Sequence, residues 1–185
     1  MKDLMNIKIK ISDYNSTQFD LPNELTTNID NYFNKLIDKK DIADKKYLPD
    51  YAGNGIVTSK AHITVLYGIK DGMEDIIKNV VESRDQISVV LGKTKVFENK
   101  FLNYDVLYIE VMSLGIRRLK SALEKRVEYV KSPFSFTPHI SIAYLAKGNI
   151  EKYKNNDAFE GTNLKLHALT YFPTEGNNKI YHLNY

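Results

Sequence analysis

A hexapeptide beginning at His62, His-Ile-Thr-Val-Leu-Tyr, returns 77 residues downstream at His139 as His-Ile-Ser-Ile-Ala-Tyr, with every replacement conservative except Leu66 to Ala143. Each copy sets an imidazole two residues before a hydroxyl. Successive side chains of an extended strand point to opposite faces, so His62 and Thr64 share one face, as do His139 and Ser141, while the intervening aliphatic residues turn the other way. Imidazole and hydroxyl then lie roughly 6–7 Å apart along the strand, close enough for both to touch one phosphate group. Histidine has an unperturbed pKa of about 6.5 and can take or give a proton near neutral pH. A single His on a strand is usually structural. Two copies with the same hydroxyl spacing and the same β-branched neighbours, about half the chain apart, are hard to obtain from packing needs alone.

The paired motif resembles the signature of the 2H phosphoesterase superfamily, two His-x-Thr/Ser motifs about this far apart. Its members include RNA 2′,3′-cyclic phosphodiesterases, 2′-5′ RNA ligase-like proteins, enzymes that degrade 2′-5′ oligoadenylate, and phage anti-CBASS nucleases that destroy cyclic oligonucleotide signals. The resemblance implies a metal-independent phosphodiesterase in which one histidine is the general base and the other the general acid. Thr64 and Ser141 would donate to the non-bridging oxygens, on which charge grows in the transition state. Which histidine is acid and which is base stays open. The motifs bring no carboxylate at ligand spacing, so two histidines alone make a weak metal site, and neither metal nor cofactor is expected. His167 and His182 lack a hydroxyl residue two positions on and are expected to be structural or surface residues.

Composition narrows the partner. The 26 basic residues are nearly balanced by 23 acidic ones, leaving a net charge of +3. That is too little field to wrap duplex DNA, so a nucleotide or short oligonucleotide fits better than a long polyanion. The 185 residues include no cysteine, which excludes disulfides and thiolate metal sites and suits a reducing, cytoplasmic location, the host cytoplasm if the gene belongs to a phage. The Lys-, Asn-, Ile- and Tyr-rich composition is compatible with a phage or a low-GC bacterium. Met1 to Ile11 alternates Lys with Ile and reads as a strand rather than a signal peptide. No stretch approaches the length of a membrane span.

The elements that must position the motifs follow from periodicity. Ile7, Ile9 and Ile11 predict a first strand. Leu25, Ile29, Phe33 and Leu36, after Pro22, predict a helix with one apolar stripe. Residues 39–60 read as a long loop, either a functional lid or a plain surface excursion. Gly68 is expected to end the first motif strand, and Asp71 to cap a helix carrying Ile76, Ile77, Val80 and Val81. Ile87 to Leu91 and Leu107 to Val111 predict a hairpin, and Ser113 opens a helix whose Ile116, Leu119, Leu123 and Val127 face inward and whose Arg117, Lys120 and Glu124 form a solvated face. Pro138 forces Thr137 extended ahead of the second motif. Leu164 to Phe172 and Lys179 to Asn184 predict two last strands joined by a turn at Gly176 and Asn177. This order fits an α+β protein. The resemblance sharpens it to the bilobal 2H fold, two antiparallel sheets facing a central cleft with helices on the outer faces, here a single domain of two pseudo-symmetric lobes over residues 1–185.

Strand parity nominates substrate contacts. If the first strand turns its isoleucines to the helices, Lys8, Lys10 and Tyr14 face the cleft, and the same logic turns Tyr104, Tyr108 and Glu110 inward. Lysine and tyrosine suit a nucleotide, because aromatic faces stack bases at about 1–3 kcal/mol each. Tyr67 and Tyr144 share parity with the isoleucines and are expected behind the sheet. The favoured substrate is a cyclic or 2′-5′-linked oligonucleotide signal. RNA end processing at a 2′,3′-cyclic phosphate is the alternative, to be favoured by a richer basic surface beside the cleft, and a non-catalytic nucleotide sponge is a third reading.

Overall fold

The computed structural model describes residues 14–49, 52–56, 60–100 and 102–184. The expected strand at Ile7–Ile11, with Lys10, lies outside them. Eight strands and three α-helices follow in the order β1 (Asn15–Asp20), α1 (Asn23–Leu36), β2 (His62–Ile69), α2 (Glu74–Glu82), β3 (Ile87–Phe97), β4 (Tyr104–Met112), α3 (Leu114–Glu124), β5 (His139–Ala146), β6 (Asn163–Leu166), β7 (Ala168–Phe172) and β8 (Lys179–His182). They form two four-stranded sheets, β2-β1-β7-β8 and β5-β4-β3-β6, in which every neighbouring pair is antiparallel. The architecture is the expected α+β one.

The topology contains a repeat larger than the hexapeptide. The unit β1-α1-β2 pairs two antiparallel strands joined through a helix, and β4-α3-β5 does the same in the other sheet. In each unit the second strand begins with the motif histidine and occupies the edge of its sheet. β2 and β5 also touch each other, so the two edges meet in the middle of the molecule. The apolar stripes of the helices bury Ile29 and Phe33 of α1, Ile77, Val80 and Val81 of α2, and Ile116, Leu119 and Leu123 of α3 in one continuous cluster with the backs of both sheets. Ser113 caps α3 as expected, its Oγ accepting from the Ile116 amide at 3.3 Å.

Several expectations need correction. The first described strand, β1, is a polar sequence whose inward positions are Asn15, Thr17 and Phe19. Its buried polar groups are satisfied: Thr17 Oγ1 bonds both the amide and the carbonyl of Leu66, at 3.2 and 3.3 Å, and Asn15 donates to Asp71 and accepts from the Thr174 amide. Asp71 is therefore not the cap of α2, whose N-cap is Met73. Gly68 does not end β2 but lies inside it at φ +86°. The segment from Leu164 to Phe172 is not one strand. It breaks at His167, placing β6 beside β3 and β7 beside β1, so the chain crosses from one sheet to the other.

The described part of the long segment, residues 39–49 and 52–56, is no free excursion. Ile42 and Ile56 form bridges to Leu145 and Ala143, and backbone bonds join Ala43 to Tyr144 and Tyr144 to Gly55. It covers the outer edge of β5, which would otherwise expose unpaired backbone groups. The carboxylate of the buried Asp41 anchors it from below, accepting from Tyr153 Oη at 2.6 Å and Lys152 Nζ at 2.5 Å.

Candidate active site

Both motif strands carry the same defect at the same place. Gln18 faces Thr64 and Thr17 faces Leu66 across β1–β2, leaving Val65 as an extra residue. Tyr108 faces Ser141 and Leu107 faces Ala143 across β4–β5, leaving Ile142 extra. A β-bulge of this kind bends the strand and resets the alternation of its side chains. Ahead of the bulge His62 and Thr64, like His139 and Ser141, share the half-buried face while Ile63 and Ile140 are fully buried. Beyond it the phase flips. Tyr67 pairs with Ser16 and Tyr144 with Val106, so both tyrosines share the face of the histidines, contrary to the expectation that they lie behind the sheet. Tyr144 packs there with Tyr104, apart from the main core.

The two imidazoles are fixed in the same way. Nδ1 of His62 lies 2.8 Å from the carbonyl of Lys60, and Nδ1 of His139 lies 2.7 Å from the carbonyl of Thr137, each two residues upstream. A carbonyl oxygen only accepts, so Nδ1 carries the proton in both rings and Nε2 is the nitrogen that exchanges protons. The sequence reason is the extended approach to each strand, enforced at the second by Pro138. Burial pushes His139 below the ordinary histidine pKa. The bond to Thr137 opposes this, and the nearby charge of His62 adds to the lowering. The two rings are thus close enough to sense one another electrostatically.

Each histidine faces a carboxylate across its ladder: Asp20 opposite His62 and Glu110 opposite His139. Both carboxylates are engaged elsewhere. Asp20 accepts from Gln18 Nε2 at 2.6 Å and from Thr170 Oγ1 at 2.7 Å, and Glu110 accepts from Lys95 Nζ at 2.6 Å. Among the described residues no three His, Asp or Glu side chains are grouped so that they could hold a metal ion. Sequence reading missed Gln18, Asp20 and Thr170 because β1 lacks an apolar alternation, and it missed Lys95 and Phe97 because β3 bulges between Leu91 and Thr94 and reverses its parity.

Of the expected substrate residues, Tyr108 is beside the site. Its ring stacks under Phe97 with centroids 4.0 Å apart and an interplanar angle of 19°, and both rings turn edges toward His139, at 5.4 and 4.9 Å. Tyr108 is buried, and burial raises its phenol pKa, so the half-exposed ring of the pair is that of Phe97. Tyr14 packs edge-on against Tyr67 at 6.1 Å. Tyr67 is five residues beyond His62, about 16 Å along the strand, so Tyr14 stands well away from the imidazole. His167 and His182 are exposed, as expected of surface residues.

Grooves open at the cross-strand partner of each histidine, Glu110 for His139 and Asp20 for His62. One, of about 720 Å³, runs from Glu110 along the end of β4 to the start of α3. The other, of about 230 Å³, is formed at the equivalent junction of β1 with α1, next to Lys60 and Ala61.

The family model described as the 2′-5′ RNA ligase superfamily matches residues 46–170, which include both His-x-Thr/Ser motifs. The chain belongs to this superfamily of 2H phosphoesterases. Its fold is shared with solved structures across nearly the whole length. Escherichia coli LigT in apo form aligns with a TM-score of 0.61 and 12% identity over 93% of this chain and 98% of LigT. LigT complexed with 3′-AMP gives 0.58 and 15% over 92% and 94%. Kluyveromyces marxianus Usb1 with uridine monophosphate gives 0.54 and 13% over 94% of this chain and all of Usb1. A comparison with curated proteins returned no match. At such identities the likeness to these structures is one of fold, and no helix among the described residues is long and apolar enough to cross a membrane.

Proposed function

We propose that this chain is a metal-independent phosphodiesterase that cleaves a nucleotide phosphodiester by two-histidine acid–base catalysis. The observation that carries this reading is the matched pair of imidazoles. They share one tautomer, fixed by one backbone contact each, on adjoining edge strands, with a hydroxyl residue two positions on in both. His139, whose burial favours the neutral form, is the base that takes the proton from the attacking oxygen. That oxygen bonds to phosphorus, the bond to the leaving oxygen breaks, and His62 supplies the leaving oxygen with a proton. Thr64 and Ser141 hold the non-bridging oxygens. Neither hydroxyl takes part in a hydrogen bond among the described residues, which leaves both available to a ligand.

The substrate is a nucleotide or short oligonucleotide, a reading supported by relatives solved with 3′-AMP and uridine monophosphate. A cyclic or 2′-5′-linked oligonucleotide signal fits a compact cleft on a nearly neutral chain. RNA carrying a 2′,3′-cyclic phosphate is the second reading, favoured by the arginines that line the larger groove. Nucleotide chemistry and a cysteine-free sequence fit a cytoplasmic setting.

The test is turnover of cyclic di- and trinucleotides, 2′-5′ oligoadenylate and 2′,3′-cyclic mononucleotides with EDTA present, by the native chain and by His62→Ala, His139→Ala, Thr64→Val and Ser141→Ala. Each histidine loss is expected to slow turnover about 10²- to 10⁴-fold, and each hydroxyl loss about 10²-fold. Loss of activity in EDTA overturns the metal-free mechanism. Binding without product from any substrate makes the protein a sponge.

A further inference from the structure

The repeated units β1-α1-β2 and β4-α3-β5 make the site nearly symmetric, and the grooves at the cross-strand partners of its two histidines break that symmetry. The small groove by His62 is lined by Asp20, Leu21, Asn23, Thr26, Lys60 and Ala61, one cation against one carboxylate. The large groove, which begins at Glu110 opposite His139, is lined by Arg84, Arg117 and Arg118. Against them stand Asp85 and Glu110, and Glu110 is already tied to Lys95. None of the three arginines forms an ion pair with a carboxylate among the described residues. Arg84 Nε is buried without an acceptor there, and Arg117 spends one donor on the carbonyl of Phe136, at 3.3 Å. Its guanidinium has five N–H groups, so several remain. Arg117, as expected, and Arg118 stand on the exposed face of α3, with these donors turned to solvent.

The groove is apolar as well as cationic. Met112 and Leu114, at 49% and 72% exposure, present large side chains to solvent at its rim. α3 meets it end-on. Gly115 lets the helix start close against β3, since a Cβ there would come within 2.7 Å of Ile87 Cγ2, and the positive end of the helix dipole adds to the arginine field. From His139 the groove begins at its cross-strand partner Glu110 and runs past Met112, about 7 Å farther along β4. Unpaired planar guanidinium groups beside exposed apolar side chains match a phosphodiester flanked by bases.

We infer that the Arg84–Arg117–Arg118 groove is a subsite for a second phosphate of the substrate, so that the protein takes a single-stranded oligonucleotide whose chain continues from the scissile phosphate on the His139 side. This deepens the phosphodiesterase reading and rests on it for the position of the scissile group. Substrate polarity follows: the charged continuation lies by His139, and the small neutral groove by His62 receives the nucleoside on the other side.

Binding tests this apart from catalysis. A labelled 2′-deoxy trinucleotide lacks the 2′-hydroxyl that would attack the adjacent phosphate, and once chromatography shows it uncut its affinity is compared by fluorescence anisotropy with that of 2′-deoxyadenosine 3′-monophosphate as competitor. The trinucleotide is expected to bind at least about tenfold tighter and to lose about tenfold in the Arg84→Ala/Arg118→Ala variant. The slope of log affinity against log salt should fall by about 0.7 for each phosphate contact removed. Arg118→Glu, at an exposed helical site, repeats the test if the double variant folds poorly. Equal affinity for the two ligands, or a trinucleotide affinity and salt slope unmoved by the arginine variants, overturns the subsite. Arginine-dependent trinucleotide binding by a protein that cleaves none of the ribonucleotide panel keeps the subsite and overturns the phosphodiesterase reading instead.

Discussion

Glu110 stands directly across the β4–β5 ladder from His139, yet its carboxylate is held by Lys95 Nζ at 2.6 Å. That ion pair keeps a negative charge from serving the imidazole. An opposite charge within about 4–6 Å favours the protonated form of a histidine, whereas His139 is shifted toward the neutral form by its burial. On the proposed mechanism, in which His139 is the base, Lys95 preserves its neutral form.

Lys95→Met should release Glu110 and raise the pKa of His139. The acidic limb of the pH profile of kcat/KM is expected to move to higher pH, with a smaller loss at the alkaline plateau than at pH 6. Lys95→Arg, which keeps the ion pair, should leave the limb in place. An unmoved limb in Lys95→Met would mean that the carboxylate does not reach the imidazole.

The same burial makes stability depend on pH. In the unfolded chain His139 takes up a proton near its ordinary pKa of about 6.5, while in the folded protein it resists until lower pH. Between those two values the unfolded state binds more protons, so folding stability falls as pH drops through the window and the loss is complete below the folded pKa. Urea midpoints measured from pH 8 to pH 5 should show this fall, and His139→Gln should flatten its share of it. A variant with the unchanged slope would show that the loss arises elsewhere.

Gly68 is where β2 can be broken most cheaply. At φ +86° a Cβ is strained, and it would also stand 2.8 Å from the Val130 carbonyl, whose own amide donates to the Gly68 carbonyl at 2.8 Å. Gly68→Ala is expected to cost about 2–4 kcal/mol, adding a clash with backbone to the left-handed penalty. Gly72, at φ +79° with nothing within 4 Å of the added Cβ, supplies the penalty alone, about 1 kcal/mol. Thermal or urea unfolding of the two variants side by side checks the difference, and equal losses would remove the role given to Val130.

What the sequence made legible and what it hid have one cause. The imidazole and hydroxyl of each motif are two residues apart on one strand, and the stripes of α1, α2 and α3 repeat within a few turns, so short-range periodicity revealed both. The bulges at Val65 and Ile142 exist only as a mismatch with a partner strand. Parity counted along β2 or β5 alone therefore put Tyr67 and Tyr144 on the wrong face. The bulge in β3 hid Phe97 and Lys95 in the same way. The break at His167 depends on which strands β6 and β7 find as neighbours, a property of the two sheets rather than of Leu164–Phe172.

Phe97 follows from that last point as the aromatic residue best placed to receive a base. Tyr108, nominated by parity, lies beneath it and is 6% exposed, so its face is already spent on the stack. Phe97 rests on that buried ring and turns its edge to His139, which sets an aromatic surface next to the imidazole at no further ordering cost. Base stacking on such a surface contributes about 1–3 kcal/mol. Phe97→Ala should then raise KM about 5- to 160-fold with kcat changed much less, because the stacking is made equally in the ground and transition states. Phe97→Tyr should restore most of the affinity and Phe97→Leu only part. If kcat falls while KM holds, Phe97 acts by positioning His139 rather than by receiving the base, and the edge contact between the two rings is the one that matters.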